Sequence, residues 1–281
     1  MKIRIIADSG CDMPQPYPSC VTVLPLTVTF GQESFEDGVT LSHRAFYEKL
    51  VEGEVLPTTS QIAPGRFEEA FAQATAAGET VVAITLSSRL SGTWQSACIA
   101  AERFAGQVFV VDSENATIGQ LVLVERAVEL VKEGLDAAQI AARLEQEKKQ
   151  IRLVALLDTL EYLKRGGRIA PSVALVGGLL SIKPVVAVQE GQVVLLGKAR
   201  GSKNGNNLLV QLIQKAGGVD FSRPLRLGYT GLSDELLQKY IEDSRSLWSG
   251  HAEQLPVCTV GGAIGTHVGP GAVAVAFFHK N

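Results

Sequence analysis

The first half of the chain alternates short apolar runs with helix-like runs, and this alternation restricts the fold more than any other feature. Strand candidates are "IRIIAD" from Ile3, "VTVLPLTVTF" from Val21, "TVVAITL" from Thr80 and "QVFVVD" from Gln107. Helix candidates begin near Ser42, Ala63, Ser91 and Thr117, with Ser42 as an N-cap and Gly53 as the stop of the first. Strand–helix alternation of this kind predicts a parallel sheet with helices on its faces. Three strand candidates end in a polar pair: Asp8-Ser9, Ser87-Ser88 and Asp112-Ser113. Ligands of open α/β sheets sit outside the carboxyl ends of strands, so a shared polar rim is expected there. Capping of the following helices explains each pair equally well.

A charged helical run, "AAQIAARLEQEKKQ", closes this half, and the texture then changes. "IRLVALLD", "KPVVAVQ", "QVVLLGKAR", "RPLRLGYTG" and "GAVAVAFF" read as strands, and the step "VQEGQVV" reads as a hairpin. Helical runs over 202–217 and 233–248 separate them. The expectation is a parallel α/β domain over 1–150 followed by an α+β domain over 151–281.

A chain of 281 residues with 46% hydrophobic and 20% charged residues has enough apolar material for a sizeable core. Its net charge of −3 argues against nucleic acid, whose recognition needs a basic surface. The apolar runs are strand-length, well short of the roughly 20 residues of a membrane span, so no stable membrane insertion is expected. "MKIRIIADSG" reads as a first strand, with a charge inside its apolar stretch, and not as a signal peptide. The four cysteines are scattered without a C-x-x-C pair, which predicts a reduced, cytoplasmic protein with neither a disulfide framework nor a zinc site.

Phosphate-loop, hydrolase-elbow and H-E-x-x-H signatures are absent. Gly269, Gly271 and Ala274 fit G-x-G-x-x-A, but too little chain follows to build a dinucleotide fold around them. What remains is a set of polar, glycine-rich segments. "PTTSQIAPG" starts at Pro57, with helix caps as the plain reading of its hydroxyls. "SSRLSGTWQSA" starts at Ser87. "LKRGGRIAP" starts at Leu163, where Gly166 and Gly167 allow close backbone approach and Arg168 offers a planar fork or a surface ion pair. "GGAIGTHVGPGA" starts at Gly261 and places His267 in a loop expected to need special backbone angles. Donors without a nucleophile–base pair suit anion recognition better than bond cleavage. The apolar stretches "VALVGGLLSI" (from Val173) and "LLGKA" are candidates for lining a pocket behind such a head.

These segments, with "DSGCD" from Asp8, "VDSENATIGQ" from Val111 and "LLSIKPVV" from Leu179, resemble the DegV family over nearly the whole chain. The departures are minor: "DSGCD" where "DSTAD" is commoner, and Trp94 where Tyr is usual. The resemblance implies a two-domain α/β protein holding one long-chain fatty acid between its domains, with no other cofactor. It implies that Thr59 and Ser91 hold the carboxylate and that Arg168 and His267 lie near it. Ser60, Ser88 and Gly92 are further candidates for ligand contact. It also implies a protein without turnover of its own, which presents the acid to a separate ATP-dependent fatty acid kinase for acyl phosphate formation in phospholipid synthesis. Burying about fifteen methylenes is worth on the order of 12 kcal/mol, which favours a closed tunnel over an open groove. The rival expectations are an enzyme acting on a small acyl substrate through Ser91 or His267, and a module for another amphiphilic acid.

Overall fold

In the computed structural model, which describes residues 2–170, 182–248, 250–251 and 255–280, the first half builds two sheets. It runs β1 (Lys2–Asp8), β2 (Val21–Leu24), β3 (Thr27–Phe30), β4 (Glu33–Glu36), α1 (His43–Glu52), β5 (Thr58–Ser60), α2 (Pro64–Ala76), β6 (Glu79–Thr85), α3 (Thr93–Ala101), β7 (Val108–Asp112), α4 (Thr117–Lys132) and α5 (Ala137–Glu147). The order β2-β1-β6-β7 is parallel throughout. The order β4-β3-β5 forms a small antiparallel sheet. The expected strand over 21–30 is therefore two strands in different sheets. Pro25 lies at the break, where a residue without an N–H cannot continue a central ladder.

From Ile151 the chain enters one mixed sheet. Its elements are β8 (Ile151–Leu156), α6 (Glu161–Arg165), β9 (Ile182–Gln189), β10 (Gln192–Arg200), α7 (Ser202–Lys215), β11 (Leu225–Tyr229), α8 (Glu235–Asp243), β12 (Val257–Thr259), α9 (Gly262–Val268) and β13 (Val273–Phe278). The strand order is β10-β9-β8-β13-β11-β12, antiparallel except for the last pair. The expected hairpin is β9–β10, turning at Glu190 and Gly191.

Two-residue alternation splits this sheet between two cores. Val154, Leu156, Val185, Leu227, Val273 and Val275 pack with Leu209, Leu237, Tyr240 and Trp248 on one face. On the other face Leu153, Ala274 and Ala276 join the core around α4. Helix α4 carries buried apolar residues on nearly every side and touches β1 and β6 of one sheet and β8, β11 and β13 of the other. A helix apolar all round is one buried between two layers.

The polar pairs at the strand ends tie loops together. Asp8 accepts the amides of Gly10 (3.0 Å) and Leu86 (2.7 Å) and the side-chain amide of Gln120 (3.2 Å). Asp112 accepts the amides of Ser88 and Glu114, and the Ser113 hydroxyl donates to the Asn115 carbonyl.

The "GGAIG" stretch is the main departure from the expected local structure. It is helix α9, not a loop, and its glycines serve packing. A Cβ on Gly262 would lie 2.9 Å from the Phe46 ring, and one on Gly265 would lie 2.6 Å from Phe46 and 2.7 Å from the Tyr47 hydroxyl. Only Gly269 and Gly271, after the helix, take positive φ, at 74° and 81°. Phe46 and Tyr47 are fully buried and packed edge to face at 4.9 Å, so neither ring can yield. Glycine to alanine in an open helix gains about 1 kcal/mol. Here overpacking of about 1–3 kcal/mol outweighs that gain. Gly265→Ala is expected to lower the melting temperature, measured by thermal denaturation of both proteins.

Candidate functional site

A cavity of about 420 Å³ lies between the mixed sheet and the first half. Its floor is a row of small side chains in register across four strands: Val186 of β9 opposite Ala155 of β8, Ala155 opposite Ala274 of β13, and Ala274 opposite Gly228 of β11. Two alanines and a glycine leave the volume that larger residues would fill. Leu26, Leu86, Leu153, Leu163 and Val188 complete much of the apolar wall. Of the expected lining stretches, residues 173–181 lie outside the described residues. Among the described residues β10 contributes Val193 to the wall, and "LLGKA" does not take part.

Polar lining comes from segments far apart in sequence, among them Thr59, Ser60 and Gln61, Ser91 and Gly92, Arg168, and His267, with Thr117, Tyr229 and Thr230 also in the wall. Thr59 sits on edge strand β5 opposite buried Val28. Its hydroxyl lies 2.8 Å from His267 Nε2, a hydrogen bond across 208 positions of sequence. The hydroxyls of 58–60 thus belong to a strand and do not cap α2, whose N-cap Ala63 makes no side-chain bond.

Ser91 lies in the turn before α3. Its Oγ is 2.9 Å from Thr93 Oγ1 and accepts the Thr93 amide at 3.3 Å. Helix α3 begins at Thr93, and its N-cap Gly92 makes no side-chain bond. Ser87 fixes the turn from the other side by donating to the Gly191 carbonyl at 2.7 Å, which docks the β9–β10 hairpin onto it. Ser88 falls outside the site: it is exposed, absent from the cavity wall, and its amide is held by Asp112. None of the six strand-end residues Asp8, Ser9, Ser87, Ser88, Asp112 and Ser113 lines the cavity either; the side-chain oxygens of Asp8, Ser9, Ser87, Asp112 and Ser113 are used in binding loops.

Gln61 lies in the "PTTSQIAPG" segment without a role of its own in the sequence reading, yet it spans the two hydroxyl segments. Its Nε2 donates to Ser96 Oγ at 3.1 Å, and its Oε1 packs so close to Gly92 that an added Cβ there would approach to 1.9 Å. The glycine in "LSGT" is the one local hint, since it marks a close approach.

The glycine pair of "GGR" divides its work. Gly166 admits the imidazole, since a Cβ there would lie 2.1 Å from His267 Nδ1, and Gly167 takes φ 68°. Arg168 donates through Nε to the Leu90 carbonyl (3.2 Å) and through Nη1 to the Gly166 carbonyl (2.5 Å). Among the described residues no carboxylate pairs with it, and the two carbonyls rather than a surface ion pair hold it. The guanidinium is left with a charge directed at the polar end of the cavity.

His267 itself is held neutral. Burial, and then the nearby charge of Arg168, push its pKa down to about 4 from the usual 6.5. Its Nδ1 is buried with no hydrogen-bond partner. Among the described residues no carboxylate bonds Ser91 or His267: the serine bonds a threonine hydroxyl, and the histidine bonds Thr59.

The fold and site define a two-layered α/β protein with an apolar cavity that ends in hydroxyls, an imidazole and a guanidinium. The chain belongs to the DegV family: a family model described as "Uncharacterised protein, DegV family" matches residues 2–280. A DegV domain-containing protein of Deinococcus radiodurans is 36% identical over 282 residues, covering 98% of each chain. Among solved structures, a DegV family protein from Thermus thermophilus, described for its fatty acid binding, superposes with a TM-score of 0.88 at 31% identity over 99% of this chain and 100% of that one. A stearic acid-binding protein from Eubacterium ventriosum gives 0.85 at 25% identity over 98% and 97%.

The depressed histidine pKa has a consequence for stability. The folded state binds fewer protons than the unfolded chain between pH 4 and 6.5, so this contribution is complete above pH 6.5 and is lost as pH falls toward 4. Its full size is on the order of 3 kcal/mol. Asp8 acts oppositely: burial raises its pKa to about 7, so its contribution declines as pH rises over roughly 4 to 7. Comparison of wild type with His267→Asn isolates the histidine. The variant is expected to be less stable at pH 7 and to close the gap between pH 6.5 and 4 in chemical denaturation series. A gap independent of pH would show that His267 is not buried neutral.

Proposed function

We propose that this chain is a two-domain carrier, 1–150 and 151–281, that binds one long-chain fatty acid in the cavity between them and catalyses no reaction itself. The observation that carries this reading is a cavity with a small-residue apolar floor where, among the described residues, the neutral donors of Thr59, Ser91 and His267 stand beside Arg168. The described fatty acid binding of the Thermus relative and of the Eubacterium relative supports the ligand class. The cavity volume lies within the roughly 300–1,000 Å³ common to ligand pockets. A carboxylate desolvated without partners would cost several kcal/mol. The hydroxyls of Thr59 and Ser91 lower that cost through charge-assisted bonds, and Arg168 supplies the counter-charge. For Thr59 to donate to the ligand, its bond with His267 must be accepted by the Thr59 oxygen, so the imidazole carries its proton on Nε2. A neutral histidine does this without adding a second charge to the site.

The role that follows is presentation of the acid to a separate ATP-dependent fatty acid kinase, for acyl phosphate formation in phospholipid synthesis. The kinase supplies nucleotide and metal, and this chain supplies a positioned carboxylate. Free thiols at all four cysteines suit a cytoplasmic setting, and no described helix is long and apolar enough to cross a membrane.

Protein purified from bacteria is expected to release about one equivalent of a C14–C20 fatty acid, measured by mass spectrometry of an organic extract. Ala274→Leu, which fills the floor, is expected to reduce retention of the longer chains while the protein stays folded. Empty wild-type protein that also ignores added fatty acid would overturn the reading.

Each hydrogen bond to a charged acceptor is worth about 1.5–3 kcal/mol, so Thr59→Ala and Ser91→Ala together are expected to weaken binding about a hundredfold or more. Arg168→Ala and His267→Ala are expected to keep ligand and to slow phosphorylation by a cognate kinase. Esterase turnover abolished by Ser91→Ala would favour the enzyme reading instead.

A further inference from the structure

The "DSGCD" segment and Asp37 have no part in the cavity wall, yet two of their carboxylates are buried at the far end of the helix that carries His267. Asp12 Oδ1 accepts the Gly261 amide at 2.7 Å, and Asp37 Oδ1 accepts the Gly262 amide at 2.9 Å. Both side chains are 3% exposed. Asp37 is itself braced, since its Oδ2 accepts the Ser9 hydroxyl at 2.8 Å and Ser9 Oγ accepts the Leu26 amide at 3.0 Å. Gly261 makes the approach feasible, because a Cβ there would lie 2.9 Å from Asp12 Oδ1 and 2.7 Å from His43 Nε2. Asp12 holds φ 54°, a left-handed conformation that aspartate tolerates better than most residues.

We propose that Asp12 and Asp37 are positioning residues for the head of the cavity: by clamping the first amides of α9, they set where its last turn places His267 against Thr59. Helix α9 has seven residues, too few to define its own geometry in isolation. Its placement therefore comes from what grips it. Phe46 and Tyr47 press on its side through Gly262 and Gly265, which leaves sliding along the axis and rotation about it to be stopped at the ends. The N-terminal end is stopped by two carboxyl groups whose oxygens accept successive amides. At the other end His267 must reach Thr59 at 2.8 Å while threading past Gly166. A shift of one ångström along the helix would break that bond. The other buried carboxylate of the segment, Asp8, hydrogen-bonds Gly10, Leu86 and Gln120 instead of an α9 amide.

The importance of this clamp for binding rests on the fatty-acid reading, but its test does not need a ligand. The imidazole of His267 is followed by NMR titration of the full chain labelled at histidine, with His267→Asn providing the assignment among four histidines. Asp37→Ala and Asp12→Ala are expected to raise the His267 midpoint from about 4 by at least one pH unit, as the ring leaves its buried place on Thr59. Asp37→Asn keeps an oxygen on the Gly262 amide and is expected to leave the midpoint near the wild-type value. Asp37→Glu keeps the carboxyl group but displaces its oxygens by one methylene, and it is expected to raise the midpoint even if the alanine variant fails to fold. Ile140→Ala, a remote core change on α5, controls for general loss of stability and is expected to leave the midpoint unmoved. Variants that melt at lower temperature while His267 titrates as in wild type would reduce the two carboxylates to a structural role and overturn the proposal. Loss of fatty acid binding in the wild type, with the midpoints moving as stated, would sink the binding reading and leave the clamp intact.

Discussion

The architecture depends on α4 serving two sheets at once. The hydrophobic effect rewards burial of apolar surface without regard to direction, so a helix with an apolar stripe facing one sheet would leave the second sheet to find its own cover. Here Ile118, Leu121, Val122, Val124 and Ala127 all fall in one core that also takes residues from β1, β6, β8 and β13. The two sheets are therefore locked to each other through a single rod. At its N-terminal end the rod no longer fills the gap, and Ala116 and Thr117 become part of the cavity wall. The ligand space is the place where shared packing stops.

The chemistry at the polar end follows from scarcity of charge. Among the described residues the Arg168 guanidinium, bonded to the carbonyls of Leu90 and Gly166, stands with hydroxyls and an imidazole whose burial keeps it neutral. A second cation beside Arg168 would be repelled, and an unpaired carboxylate would compete with an anionic ligand for it. Neutral donors around one positive charge avoid both. Among the described residues, the imidazole is engaged by Thr59 and no carboxylate bonds its Nδ1.

Local signals in the sequence succeeded where the cause was local. Ser42 does cap α1 by accepting the Ala45 amide at 3.2 Å, and Gly53 does end that helix. The hairpin at Glu190-Gly191 forms where the turn chemistry placed it. They failed where a distant partner decided. The glycines of "GGAIG" looked like backbone punctuation, but their cause is the pair of rings on α1, more than 200 positions earlier in the chain. The hydroxyls of Thr58–Ser60 looked like caps, but β3 offered them an edge to pair with. The rim residues looked exposed to ligand, but neighbouring loops had already taken their hydrogen-bonding capacity.

By itself the sequence determined the alternation that makes the first sheet parallel, the change of texture at Ile151, and the family, because periodicity and motif order are properties of the linear chain. Tertiary structure alone decided that Thr59 meets His267, that Gln61 rests on Gly92, and that Asp12 and Asp37 grip the helix bearing the imidazole. Those contacts join segments separated by between 31 and 249 positions. No local preference encodes them. They exist only once the shared core around α4 has set the distance between the two halves.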